Sequence, residues 1–228
     1  MEIAAPLTLT ETVYRAMRAD LLTCRVPPGG KLKIADLCTS HGSSLGAVRE
    51  ALSRLTAEGL VVCLPQRGFQ AAAISMAELK DLTLARVEIE ALCLSMAVKQ
   101  GDLAWEERLL GISHRLARTE KRAPGDAERL SDAWALAHGA FHEALVAACG
   151  SLTLLQIRRQ LYAQSERYRR LSIPLAETER DVDQEHRDLV TAALDRDVPR
   201  ALDLMKAHIE QTTKILLHAL NDRIRRVA

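Results

Sequence analysis

Apolar positions recur at helical spacing from about residue 9 to 23, and the pattern stops before Pro27-Pro28-Gly29-Gly30, which cannot continue a helix. A second short helix is expected from about Lys33 to Ser40, closing at His41-Gly42. Ser43 and Ser44 are both suited to cap a third, in which Leu45, Val48, Leu52 and Leu55 recur until Glu58-Gly59. The period then changes. Residues 60 to 73, LVVCLPQRGFQAAA, place two apolar runs around a Pro-Gln-Arg-Gly centre, which predicts a β-hairpin whose turn contains Pro65 and Gly68. Helix, helix, tight turn, helix, hairpin is the order of a winged helix-turn-helix.

Past Ser75 the stripes lengthen to about 76–100, 103–121, 127–148, 151–171, 176–195 and 198–222. Gly101-Asp102, Pro124-Gly125, Gly150-Ser151, Pro174 and Asp197 before Pro199 punctuate them as stops and starts. Six helices with short links form an antiparallel bundle. The expected fold is therefore mainly α, with a winged helix-turn-helix over 1–75 and an all-α helical bundle over 76–228.

Composition narrows the class. The 228 residues are 48% hydrophobic and 27% charged, with 31 Lys+Arg against 30 Asp+Glu, a balance that excludes a polyelectrolyte tail or a mostly disordered chain. No run reaches the roughly 18 apolar residues of a membrane span, and the N-terminus lacks a basic segment followed by an apolar stretch and cleavage site, so a cytoplasmic protein is expected. Cys24, Cys38, Cys63, Cys93 and Cys149 are scattered and never form a CxxC, which argues for apolar packing rather than disulfides or thiolate zinc.

Residues 1 to 74 carry eight cations (Arg15, Arg18, Arg25, Lys31, Lys33, Arg49, Arg54, Arg67) against six acids, an excess too small to identify a nucleic-acid partner alone. Placement says more. Packing Leu45, Val48, Leu52 and Leu55 inward leaves Ser44, Gly46, Ala47 and Arg49 free at the start of the third helix, the part of a helix-turn-helix that enters the major groove. Lys33 adds a cation at the preceding helix. Arg67 followed by Gly68 at the hairpin tip suits a wing, where a cation meets backbone or minor groove. The alternative is a winged helix that binds protein, its arginines merely solvated.

His138 and His142 lie four apart, so their rings leave one helix face a turn apart, as a metal requires. His186 falls within the apolar line Val182, His186, Leu189, Val190, Ala193, and His208 within Leu204, His208, Gln211, Ile215. Four imidazoles thus have inward faces on three helices, and nitrogen donors favour zinc, nickel or copper over magnesium or calcium. The alternative is ordinary core histidines.

Two resemblances sharpen both readings. Residues 27 to 75 resemble the winged helix of the GntR superfamily, with Val48-Arg49-Glu50-Ala51-Leu52 matching its V-R-E-A-L core. The resemblance implies Arg49 as a DNA contact and Gly68 as the wing-tip glycine. Leu45-Gly46-Ala47 stands where the family usually has R-T-P, so one cation is missing from the start of the recognition helix. Residues 76 to 222 resemble the FCD effector domain of the FadR branch in its six-helix form, through Arg86 and Glu90, His138-Gly139-Ala140-Phe141-His142, Glu185-His186-Arg187, and Met205 to His208. That resemblance implies His142, His186 and His208 as metal ligands, with His138 where an Asp is usual.

Four neutral imidazoles leave a divalent ion its full charge, so an anionic effector is expected, a small organic or sugar acid, on a transition metal expected to be zinc, with nickel as the alternative. Arg86, on the inward line Leu79, Leu82, Arg86, Ile89, Cys93, either holds a carboxylate oxygen or forms an i, i+4 salt bridge with Glu90. The leading reading is a homodimeric transcriptional regulator, a repressor of a palindromic DNA operator, released when the effector fills the bundle. A second reading makes the metal itself the signal. A third, from another class, is a histidine-metal hydrolase, with Glu143 beside His142 as its one candidate base.

Overall fold

The computed structural model describes residues 8–172 and 180–227. The chain divides into two compact units, with the boundary in sequence between Ser75 and Met76.

In the first unit, α1 (Leu9–Leu22), α2 (Ile34–Ser40) and α3 (Leu45–Ala57) pack around a core of Val13, Met17, Leu21, Val48, Leu52, Leu55 and Leu60. Each such leucine, fully buried, contributes about 2 kcal/mol. Thr8 caps α1 by accepting from Glu11 N–H, and Ser44 caps α3 by accepting from Ala47 N–H at 3.3 Å. The hairpin is β2 (Val61–Leu64) with β3 (Gly68–Ala71), in register Val61 to Ala71 and Leu64 to Gly68. A two-residue strand, β1 (Lys31–Leu32), extends the sheet on the other side of β3, giving the order β1-β3-β2.

The second unit is built on α4 (Met76–Gln100), which packs against α6 (Asp132–Val146), α7 (Leu152–Ser172) and α9 (Val198–Val227). Completing it, α5 (Leu103–Ala117) lies on α6 and on α8 (Val182–Leu194). Asp102, Ser131 and Asp181 cap α5, α6 and α8 through side-chain oxygens. Gly150, at φ 73°, ends the 3-10 turn after α6 in the left-handed conformation that glycine adopts without steric cost.

The helix boundaries differ from those expected in two places. The helices expected over 103–121 and 127–148 end and begin elsewhere: α5 stops at Ala117, α6 starts at Asp132, and a hairpin of β4 (Arg122–Ala123) and β5 (Asp126–Leu130) lies between them. Its turn is the Pro124-Gly125 already read as a break, but the flanking residues favour helix locally and are held extended by pairing with each other. The helix expected from 176 begins at Val182, and residues 176–179 lie outside the described residues.

Candidate metal centre and nucleic-acid interface

On α3 the buried face is Ala47, Val48, Ala51, Leu52 and Leu55, whereas Leu45 is 52% exposed. The sequence reading assigned Leu45 inward and Ala47 outward. At 100° per residue Leu45 lies only about 20° round the helix from the fully buried Leu52, so its exposure follows from its place as the first residue of α3, at the end of the packed segment, and not from phase. Ser44, Gly46 and Arg49 are exposed as expected, as are Lys33, Arg67 and Gly68. Arg67 lies in the turn between β2 and β3, and Gly68 holds φ 87°, with no atom within 4 Å of where a Cβ would stand. The cations of this unit fall into two sets. Arg15 and Arg54 pair with Glu11, Arg18 with Glu58, and Arg25 with Asp20. Lys31, Lys33, Arg49 and Arg67 are exposed and make no ion pair among the described residues. The acids thus neutralise the structural arginines, and the expected DNA-facing cations keep their charge for a polyanion.

In the second unit the four histidines converge. His138 and His142 on α6, His186 on α8 and His208 on α9 are all buried, and one ring nitrogen from each lies within 4.8 Å of the others. The apolar line of α9 differs in phase from the expected one: Ala201, Met205, His208, Ile209 and Leu216 are buried, and Leu204, Gln211 and Ile215 only partly so. His208 belongs to both lines and keeps its place. Trp134, one turn before His138, stacks on its ring at a centroid distance of 4.7 Å.

The donor set can hold a divalent cation. His138 Nε2 and His142 Nε2 are 3.2 Å apart. A tetrahedral zinc with Zn–N bonds of about 2.0–2.1 Å requires nitrogens roughly 3.3 Å apart. Both ring nitrogens of His186, and Nδ1 of His142, are buried with no hydrogen-bond partner among the described residues. An imidazole with neither nitrogen satisfied is costly in a core unless something accepts its lone pair. Burial first, then the neighbouring imidazoles, hold His138 and His142 well below the ordinary histidine value. Burial likewise lowers His186 to about 2 and lowers His208, the latter against the opposing hydrogen bond that His208 donates to Glu185. All four are therefore neutral at pH 7, the form that ligates.

Side chains behind the rings orient them. His208 Nδ1 donates to Glu185 Oε2 at 2.7 Å, which turns its Nε2 lone pair toward the cluster. Arg180 Nη2 donates to the same carboxylate at 2.6 Å and to the His208 carbonyl at 2.8 Å. Burial would raise the Glu185 carboxyl, but these hydrogen bonds outweigh it and hold it at about 2. His138 Nδ1 is 3.1 Å from the Tyr162 hydroxyl, whose phenol burial pushes up to about 12. The sequence alone gives Glu185 no role and does not point to Arg180 or Tyr162. Adjacency to His186 was the only available signal for Glu185, and the other two are brought in by helix packing.

Arg86 is buried with its Nε 3.5 Å from Glu90 Oε1, so the i, i+4 contact exists but is long. Glu90, fully buried, has its closer partner in Arg158, whose Nε lies 2.8 Å from Oε2. Two guanidiniums around one carboxylate leave an interior excess of positive charge, and both stand near the face of Tyr162, at 5.0 and 5.4 Å. Arg86 also borders a cavity of about 20 Å³ with Thr83, Ser165 and Thr212. Glu143 pairs with Arg159 at 3.0 Å, half-exposed on the surface, where it cannot serve as a base for water at the cluster.

Family models match both units in chain order. Residues 9–70 fit the gntR family of bacterial regulatory proteins, and residues 81–211 fit the FCD domain. The HTH-type transcriptional regulator BphR of Paraburkholderia xenovorans is 37% identical over 94% of this chain and 87% of its own length. The chain belongs to the GntR family, with an FCD domain. The HTH-type transcriptional repressor GlaR of Escherichia coli is 36% identical, over 91% of this chain and 95% of its own. Among solved structures, McbR/YncC of E. coli shares the fold with a TM-score of 0.74 and 19% identity, covering 93% of this chain and 99% of that one. This GntR-family member is accordingly a DNA-binding transcriptional regulator and not an enzyme. None of its described helices is long and apolar enough to cross a membrane.

Proposed function

We propose that this regulator is a homodimeric repressor whose operator affinity is set by a small carboxylate bound at a metal centre formed by His138, His142, His186 and His208. One observation carries the reading: four buried imidazoles converge within 4.8 Å, and His186 has no hydrogen-bond partner for either nitrogen among the described residues. An all-nitrogen set fits zinc, with nickel next. Bound there, a divalent ion supplies a Lewis-acidic centre that an anionic oxygen can join. The interior charge excess of Arg86, Arg158 and Glu90 favours such an anion over a neutral molecule, and Arg86 is the residue assigned to its second oxygen.

The cavity beside Arg86 is far below the roughly 300 Å³ that small-molecule sites occupy, so an organic acid enters only as α4, α7 and α9 repack. That requirement couples ligand to packing: an acid that binds one arrangement of the bundle better shifts the population toward it, and DNA affinity follows. The repressor direction is supported by the name of the GlaR relative. Lys33, Ser44, Gly46, Arg49, Arg67 and Gly68 are assigned to a palindromic operator, two recognition helices reading its halves.

The test is a metal analysis of the purified full-length protein, followed by operator binding with and without chelator and then with a panel of small carboxylates. Stoichiometric zinc or nickel, and an acid that releases DNA only from metal-loaded protein, are expected. Release on chelation with indifference to every acid would assign the signal to the metal instead, and absence of bound metal would remove the centre.

A further inference from the structure

We propose that Leu45 reads the 5-methyl group of a thymine in the operator's major groove and is the residue that sets this regulator's sequence preference apart. Four features place it there. Leu45 is the first residue of α3 and is 52% exposed, although burying it inside would be favourable by about 2 kcal/mol. Arg49 follows at i+4, on the same side of the helix one turn on, exposed and without an ion pair among the described residues. Between them Gly46 weakens the helix relative to alanine, yet the fold does not require it. A Cβ there would meet only Ser44 Oγ, at 4.0 Å. A residue that the fold does not demand, beside an exposed leucine and an unpaired arginine, is explained by a surface that must approach closely from outside. Finally, Lys33 and Arg67 keep their charge for phosphates in the same unit.

The chemistry at this position differs from that of a cation. Arginine pairs with guanine O6 and N7, whereas an aliphatic side chain has no hydrogen bond to give and meets only the thymine methyl favourably in the major groove. A helical turn rises 5.4 Å and a base pair about 3.4 Å, so the thymine lies one or two base pairs from the base or phosphate that Arg49 contacts.

The inference rests on α3 being the helix that enters the groove, and the experiment separates the two. Duplexes are selected from a random pool with the full-length protein. Each thymine is then replaced in turn by deoxyuridine, which removes the methyl and nothing else. Burial of one methyl predicts about a fourfold loss of affinity at one thymine position. The same replacement leaves Leu45→Ala binding unchanged, and a selection with Leu45→Arg moves that position from thymine to guanine. If Arg49→Ala weakens binding about tenfold or more but no deoxyuridine weakens the wild type, or Leu45→Ala remains as sensitive, the inference is overturned while the placement of α3 stands. If Arg49→Ala binds the selected duplexes as well as the wild type does, the placement fails and takes the inference with it.

Discussion

The N-terminal unit keeps a wholly apolar core and turns its uncommitted charge outward, while the C-terminal unit takes charge and imidazole into its interior. In the first, the buried set around Val48, Leu52 and Leu55 contains no ionisable group, and every paired arginine is at least one-third exposed. In the second, Glu90, Arg158 and the four histidines are all below a tenth exposed. A surface that meets DNA needs only a stable platform under its cations. The centre proposed for the second unit, which would distinguish one small anion from water, has to desolvate its own polar groups in advance, and the helices around it bear that cost. The two units should therefore respond differently to the same perturbations.

The largest divergence is expected in acid, with metal removed. The folded values of His138, His142, His186 and His208 lie below the ordinary 6.5, so the unfolded chain takes up protons first and stability falls as pH drops below about 6.5. Each imidazole contributes up to about 1.4 kcal/mol per pH unit in that window. Glu185 adds to the loss below 4.5, because its folded value near 2 is depressed and its stabilising charge disappears as it protonates. Helical signal followed from pH 7 to 5 should show the C-terminal unit melting while the N-terminal unit, whose one histidine is His41, stays folded. Simultaneous acid melting of both units would contradict the contrast.

Next in size is Glu90→Gln. It leaves Arg86 and Arg158 without their counter-charge in the core, and a loss of about 3–5 kcal/mol in denaturant unfolding of the C-terminal unit is expected. Glu185→Gln should be milder. It keeps shape but weakens the hold on His208, and a loss of about 10–100-fold in zinc affinity is expected from competition with a chromophoric chelator. The smallest effect on the fold belongs to Arg49→Ala. Its melting temperature should match the wild type, while operator affinity falls about tenfold, with a salt dependence shallower by about one counterion.

Much of this contrast could be read from the chain, and the failures share a cause. Spacing within one helix fixed the inward faces of His138, His142 and His186, and the Pro65 to Gly68 centre located the wing. The β4 and β5 hairpin escaped because its strands hold no alternation and are stable only as partners, so local propensity extended the neighbouring helices across it. Leu45 shares the face of Leu52 but stands at the very start of α3, and Ala47 is buried although its side chain is small, so neither burial follows from spacing and size. Arg158, Arg180 and Tyr162 are 68, 28 and 24 residues from Glu90, His208 and His138, the groups they contact. No periodicity within a segment carries information over such separations.

The stack of Trp134 on His138 has a practical consequence. The chain has two tryptophans, and the other, Trp105, donates its indole N–H to the Ala144 carbonyl at 2.8 Å, deep in the core. Trp134 stands 4.7 Å from an imidazole proposed as a ligand of the cation, so its excited state would sense whether that ring carries a proton, a lone pair or a coordinate bond. With the proposed cation bound, the protein would contain its own optical gauge: intrinsic emission should report loading in real time without a label, and a Trp105→Phe background would leave that signal undiluted.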